Sequence, residues 1–458
     1  MVLENIDFEK IAKFSKPGPR YTSYPTAVEF RDSPEVKEQY FKELQSSTAP
    51  LSLYFHLPFC RSACYFCGCN VVYTSKAEKR VRYIDYLKRE LDILSNYLDT
   101  SREVVQLHFG GGTPTFFTAD ELEEIIEAIK SHFPNFSKDS EISCEIDPRY
   151  FNEEQAKVLT ENGFNRISFG VQDFDEEVQK AVHRVQPFDI VLQSVQLARK
   201  YGVQSINIDL IYGLPYQSLE SFSNTLRETL KLDPDRLAVF NYAHVPWLMK
   251  TMRKIDETTL PHPSEKLKIF KKTIDYLTSN GYKMVGMDHF AKEDDELFRA
   301  IEKGELHRNF QGYTTKGGTQ LIGIGLTSIG NGERYYIQNF KDMKSYESAL
   351  DRGELPIFRG VKLSDDDYIR KDVIMELMSN FKLNIERFNQ RHSINFFDYF
   401  RDEVEELKTF VDSGILKIDD KKIDISLTGS MIIRNIAMVF DGYMKKYRDS
   451  KKVFSKTI

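Results

Sequence analysis

From residue 51 to residue 290 the sequence alternates short runs rich in β-branched and aromatic residues with amphipathic stretches of about ten residues or more, the length that a crossover between parallel strands requires. The runs fall at 51–56, 104–109, 141–146, 166–171, 205–211, 236–242 and 283–289. In the first intervening stretch Ile84, Leu87, Leu91, Leu94 and Leu98 recur at three- and four-residue steps, which puts them on one helical face. The next two stretches open on Thr118 followed by Glu121, and on Asn152 followed by Gln155, the spacing of a capping box. Repeated units of this kind predict an α/β fold with a parallel sheet and right-handed crossovers, either a barrel or an open sheet. Functional residues are then expected at the C-terminal strand ends.

At 458 residues the chain exceeds one core, so flanking units are expected on either side of a central domain at 51–350. Residues 1–50 read as an N-terminal arm. Within it Pro17, Pro19 and Pro25 bracket Arg20, Tyr21, Thr22, Ser23 and Tyr24 and favour an extended path over a helix. Weak β patterning resumes near 320–329. Residues 351–458 read as a mainly helical domain with a hairpin, strands at 415–418 and 423–427 around a turn at 419–422, then a helix from about Ser430. That pattern is winged-helix-like, and the stretch 445–456 carries six basic residues and one acid. A fold does not imply its commonest function, and a net charge of −6 with pI near 6.0 offers no general attraction to nucleic acid or anionic membrane. Arg434 and Asp441 interrupt the apolar segment 431–444, so no spanning helix is expected. The first residues carry neither a basic leader nor an apolar run, and a cytoplasmic location is expected.

Four of the five cysteines, Cys60, Cys64, Cys67 and Cys69, fall within ten residues, while Cys144 stands alone in a strand and reads as core. A disulfide scaffold would spread its cysteines through a small secreted chain, whereas clustered thiols read as metal ligands. The first three form C-x3-C-x2-C directly after the first expected strand. Three thiolates would hold three irons of a cubane and leave the fourth iron open to a chelating cofactor, whereas plain electron-transfer clusters are closed by four. The competing reading, a zinc knuckle on all four thiols, fits less well because such sites use two separated pairs.

The cysteine spacing is similar to the radical S-adenosylmethionine (SAM) superfamily signature. The wider sequence resembles its oxygen-independent coproporphyrinogen III oxidase family nearly end to end. The resemblance is carried by Gly18 to Pro25, Tyr54 to Cys60, Cys67 to Asn70, Gly110 to Pro114, Glu145 to Arg149 and Phe169 to Asp173. Asn207 to Gly213, Phe240 to His244, Met287 to Phe290 and His307 to Thr315 extend it. It implies a partial (β/α)6 TIM-like radical SAM barrel, one 4Fe–4S cluster on Cys60, Cys64 and Cys67, and two bound S-adenosylmethionine molecules. It places Tyr54, Gly111, Glu145 and Ile329 around the cluster-bound cofactor. Phe66, Gly112, Thr113, Gln172, Arg184, Asp209 and Ala243 would surround the second, with Cys69 a catalytic thiol. From the residues alone, Gly110, Gly111 and Gly112 after a strand let backbone approach a ligand closely, while Glu145, Asp209 and Arg184 read equally well as solvated surface charges.

By the same resemblance, a 5′-deoxyadenosyl radical removes a hydrogen from a propionate of coproporphyrinogen III. Two oxidative decarboxylations then give the vinyl groups of protoporphyrinogen IX, in haem biosynthesis. A reduced flavodoxin- or ferredoxin-type donor and a monomeric state are implied, with neither nucleic acid nor membrane as a partner. Arg20 and Arg308 are candidates to meet the substrate's carboxylates. The arm is expected to act as a lid over the barrel mouth, the alternative being a strap that adds only stability. A haem chaperone of the same superfamily is the competing function, and the arm, the segment around Gln311 and Cys69 speak against it.

Overall fold

The computed structural model describes residues 6–447, so the expectations for the first residues and for most of the stretch 445–456 lie outside the described residues. Its centre is a 12-stranded mixed sheet. Six strands, Leu51–Leu57, Val104–Gly111, Phe136–Ile146, Arg166–Gln172, Ser205–Tyr212 and Arg236–Asn241, lie side by side in chain order and run parallel. They form the (β/α)6 partial barrel. Helices Ala77–Leu94, Ala119–His132 and Glu153–Glu161 are the first crossovers, and the last two begin with the capping boxes legible at Thr118 and Asn152. Strand alternation sends Leu53, Phe55, Phe109, Phe169, Ile208 and Val239 into the layer between sheet and helices, where each is fully buried. The intervening Tyr54, His108, Glu145, Ser168 and Asp209 fall on the opposite, inner face.

The sheet continues beyond the barrel on both sides. The run expected at 283–289 is two short strands, Tyr282–Val285 and His289–Lys292, which pair antiparallel with each other, the second also pairing antiparallel with the sixth barrel strand. Gln320–Ile324 runs parallel to the first barrel strand, and Ile329–Asn331, Tyr335–Asn339 and Ile357–Lys362 follow antiparallel. The sheet therefore extends past residue 350 to Lys362, and the helical unit opens with Asp365–Asn380. The hairpin of His307–Asn309 and Gly312–Thr314 crosses the barrel's open side, with Tyr313 packed 5.0 Å from His289 and Thr314 reached by Gln106. In the C-terminal unit the expected hairpin is present as Leu416–Ile418 and Lys422–Ile425, joined by a third strand, Lys382–Asn384. The helix expected from Ser430 is two short helices, Leu427–Met431 and Ile433–Ala437.

The Pro-rich stretch is free of helix but not extended throughout, since Tyr21 has φ +46° and the chain bends at residues 22–25; helices Phe8–Phe14 and Pro34–Ser46 flank it. It is tied into the C-terminal unit. Tyr21 donates to Asp441 at 2.9 Å, Gly442 N–H donates to the Tyr24 hydroxyl at 3.0 Å, and Phe14 packs on Phe410. The buried Arg434 guanidinium donates to the carbonyls of Gly18 and Pro19. Tyr21 and Tyr24 are themselves core residues, so the arm contributes to the fold as a strap does, and deleting it costs stability. Arg434→Met keeps the packing volume but leaves two buried carbonyls without donors, a loss of about 2 kcal/mol. Chemical denaturation should show that loss, with faster protease cutting within residues 16–25 than in the parent protein.

Candidate active site

The first barrel strand delivers the chain into a closed loop. Phe59–Cys60 pairs in parallel with Val72–Tyr73, with Val72 N–H donating to the Pro58 carbonyl at 2.8 Å and Thr74 N–H to the Cys60 carbonyl at 3.1 Å. The four clustered cysteines lie within this loop, at the C-terminal end of the sheet. The loop after the second strand clamps it from beneath. Gly112 N–H donates to the Leu57 carbonyl at 2.9 Å and Thr113 N–H to the Phe59 carbonyl at 3.0 Å, while the Thr113 hydroxyl lies 3.4 Å from the Cys60 sulfur. Both glycines are sterically required. Gly111 has φ +116°, and a Cβ there would sit 2.7 Å from the His56 ring. A Cβ on Gly112 would sit 2.7 Å from the carbonyl of Pro58, which is backbone and cannot swing aside.

The inner wall beside these loops is polar and internally bonded. The His56 ring, buried and pushed down to about 4, is neutral; its Nε2–H donates to the Asn70 carbonyl at 3.0 Å, leaving Nδ1 to accept from the Tyr54 hydroxyl. Tyr54 stacks on His108 at 5.8 Å, and His108 bridges Ser143 at 2.6 Å and Glu145 at 3.4 Å. Burial raises the Glu145 carboxyl, but bonds from His108 and from Gly111 N–H at 3.2 Å outweigh it, and the group is held below its usual range. Asp209 accepts from Ser168 at 2.9 Å and Asn207 at 2.7 Å, yet burial pushes it up to about 6.

Cys64 is buried and faces two guanidiniums, Arg184 at 3.6 Å and Arg149 at 4.0 Å, which share Asp147 between them. Cys67 and Cys69 hydrogen-bond, which lowers Cys67 to about 7 and raises Cys69. Cys69 is exposed, and burial, with the neighbouring Glu145 carboxylate, raises the Tyr54 hydroxyl. Among the described residues no three His, Cys, Asp or Glu side chains converge on one metal ion. The donor set is three thiols on one short closed loop, beside a glycine edge and two guanidiniums. It fits a cubane, whose thiolates go to separate irons.

The structure thus gathers Tyr54, Gly111, Gly112, Thr113, Glu145, Arg184 and the thiols at one mouth. Asp209 and Gln172 stand further round the inner wall, at the fifth and fourth strands. Phe66 packs with Val178, Val182 and Met252 in an apolar cluster behind the loop, Ala243 follows the sixth strand half-buried, and Ile329 lies against Phe310 and Tyr336. The donors of Arg184 are already engaged by Asp147, Gln186, Gly170 and Cys64. Sequence reasoning missed His56, His108, Ser143 and His289, whose only signal is a polar residue between two apolar ones in a buried strand. It also missed Asp288, whose carboxyl, raised by burial, is pulled well down by the bound His289 and by Arg308 and Arg20. Buried donors of Arg308 and both amide atoms of Gln311 have no hydrogen-bond partner within the protein. A cavity of about 680 Å³ lies between the hairpin and helix Asp365–Asn380, with Arg308, Gln320 and Ala49 in its lining.

The comparisons with known proteins agree with this geometry. Residues 54–229 match the Radical SAM superfamily and residues 363–432 the HemN C-terminal domain. The chain is a radical SAM protein. It is 58% identical to the oxygen-independent coproporphyrinogen III oxidase of Helicobacter pylori strain J99, over the full length of both chains, and 43% identical to that of Escherichia coli K12, over 97% of this chain and 98% of the relative. The structure of coproporphyrinogen III oxidase (HemN) from Escherichia coli, described as a radical SAM enzyme, superposes with a TM-score of 0.90 at 42% identity, covering 96% of this chain and 99% of the other. Within the superfamily, the chain belongs to the oxygen-independent coproporphyrinogen III oxidases.

Because the Cβ of Gly112→Ala would meet backbone, the clamp on the cysteine loop has to open, at a cost of about 1–3 kcal/mol. The variant should show a lower melting temperature and substoichiometric iron after anaerobic reconstitution, while parent protein reconstituted in parallel fills its site.

Proposed function

We propose that this chain carries out the oxygen-independent oxidative decarboxylation of two propionate side chains of coproporphyrinogen III to vinyl groups, giving protoporphyrinogen IX. The observation that carries the reading is the closed loop of Cys60, Cys64 and Cys67 at the mouth of a (β/α)6 barrel, clamped by the Gly111–Gly112 edge, in a chain that matches its relatives from end to end. Bound there, a 4Fe–4S cluster supplies the one-electron cleavage of S-adenosylmethionine.

The protein's own residues do the rest. Gly111, Tyr54, Glu145 and Ile329 line the place of the cluster-bound S-adenosylmethionine. Glu145, kept ionised by His108 and Gly111, offers a carboxylate to an ammonium or ribose group. Phe66, Gly112, Thr113, Gln172, Arg184, Asp209 and Ala243 are assigned to a second S-adenosylmethionine. Arg184 reaches it by exchanging one of its present partners. Cys69, an exposed thiol two residues beyond Cys67, is assigned a catalytic role at this site. The substrate's carboxylates meet Arg308 and Arg20, and the unpaired amide of Gln311 adds a donor and an acceptor. The arm and the hairpin close the open side and keep water from the radical. A reduced flavodoxin- or ferredoxin-type protein donates the electron, and the enzyme works as a monomer in the cytoplasm; among the described residues no helix is long and apolar enough to cross a membrane.

Anaerobic incubation of reconstituted protein with S-adenosylmethionine, a reductant and coproporphyrinogen III should release two molecules of carbon dioxide per protoporphyrinogen IX; haem binding without product would identify the chaperone instead. Alanine at Cys60, Cys64 or Cys67 should each abolish the iron chromophore, whereas Cys69→Ala should keep the chromophore and lose turnover. The reverse pattern would overturn the ligand assignment. The raised Asp209 sets a pH dependence. Its carboxylate form, the one that accepts hydrogen bonds, is present above pH about 6 and is lost as pH falls through that value. The kcat/KM for S-adenosylmethionine should fall on the acid side of about 6, and Asp209→Asn should be slow with that limb removed.

A further inference from the structure

Behind the cysteine loop lies a face that none of the roles above uses. Residues 244–254 contain three cations, Lys250, Arg253 and Lys254, and no acid, within a protein of net charge −6. All three cations are exposed. The same segment exposes the chain's only tryptophan, Trp247, at 44%, and Leu248 at 64%, with Val185 at 46% on the neighbouring turn. Large apolar side chains left open beside unneutralised cations mark an interaction surface.

This face is continuous with the thiol loop. Met249, Met252 and Ile255 pack in one apolar cluster with Tyr65 and Phe66, the two residues between Cys64 and Cys67. The Lys254 ammonium sits 4.9 Å from the Tyr65 ring, which stacks on His183 at 5.1 Å, and His183 bonds the Ala63 carbonyl at 2.8 Å. Arg253 donates to the Pro246 carbonyl at 2.9 Å, holding its charge beside Trp247. Of the acids on neighbouring segments, Glu176 is paired with Lys180 and Glu257 with His244, while the exposed Asp256 accepts from Thr258.

We infer that this face docks an acidic one-electron carrier protein, with Trp247 and Leu248 as its apolar anchor and Lys250, Arg253 and Lys254 as its charge match. The inference rests on the proposed function, which requires one electron per S-adenosylmethionine cleaved. Electron transfer weakens steeply with distance, so the carrier's cofactor must approach the Cys64–Cys67 segment from outside while substrate occupies the barrel interior. The Tyr65–His183 stack is the protein between such a carrier and Cys64. Charge complementarity of this kind chiefly sets encounter rate and salt dependence.

The test combines binding with two routes of reduction. Reconstituted enzyme is titrated with an oxidised bacterial flavodoxin, and in parallel with an acidic ferredoxin, at low and high salt. Turnover is then driven either by the reduced carrier or by dithionite. The expected result is salt-sensitive binding of a carrier that weakens about tenfold in the double variant Lys250→Glu, Lys254→Glu. The KM for that carrier should rise in step, with the dithionite-driven rate within twofold of wild type. Trp247→Ala should weaken binding while keeping the salt dependence, which separates the anchor from the charges. The docking assignment is overturned if neither carrier binds wild-type enzyme at low salt, or if both variants bind and turn over with the carrier as wild type does. Absence of dithionite-driven product in wild type would count against the proposed function instead, and the binding titration would still decide the docking face.

Discussion

Two pairs of backbone hydrogen bonds hold the thiols in place, and the chemistry proposed for this protein depends on them. Pro58 and Cys60 accept from Val72 and Thr74, which closes the cysteine loop, while Leu57 and Phe59 accept from Gly112 and Thr113, which fastens that loop to the next strand's end. A three-thiolate site on an otherwise free loop would have to be ordered by the cluster itself. Here the parallel register of the first two strands, running from Leu51 beside Val104 to Leu57 beside Gly111, carries both loops to the same level before any cofactor arrives. The barrel is the means by which residues separated by about fifty positions in sequence meet at hydrogen-bonding distance.

The inner wall continues the same logic. Gly111 N–H, Glu145, His108 and Ser143 form one chain of hydrogen bonds, so the glycine edge is braced by the third strand as well as by the first. Bonded in this way, the Glu145 carboxylate is held below its usual range although desolvation works against its charge. Asp209, which has a weaker set of partners, rises instead. Within the 307–314 hairpin Arg308 and Gln311 retain unmatched donors and an unmatched acceptor. Such groups call for a partner outside the protein, water or ligand, and the proposed function gives them the carboxylate-bearing substrate.

How much of this was legible in the sequence follows from the range of the interactions involved. The six barrel strands, the capping boxes at Thr118 and Asn152 and the Cys60, Cys64 and Cys67 spacing are local patterns and could be read directly. The turn that splits 283–289 into two strands was missed: Gly286, at φ +78°, marks it, but a single glycine inside a β-patterned run was read through. The two short helices after Ser426 read as one for a similar reason. The arm was read from Pro17, Pro19 and Pro25 as an extended segment; the stretch is free of helix, but it bends at residues 22–25. A stabilising strap was the alternative reading, and what could not be seen were its partners, because those of Gly18, Tyr21 and Tyr24 are Arg434, Asp441 and Gly442, some four hundred residues away. The polar wall of His56, His108 and His289 was hidden in the same way, since a lone polar residue in a strand reveals its use only when its neighbours across the sheet are known.

The central claim is that three thiolates leave one iron of a cubane open for S-adenosylmethionine. Mössbauer spectroscopy of protein reconstituted anaerobically with ⁵⁷Fe, recorded before and after S-adenosylmethionine is added, tests it most directly. The account predicts a cubane in which one iron of the four shifts on addition while the other three keep their parameters. A cluster whose irons all remain unchanged, or protein that takes up zinc in place of iron, would contradict it.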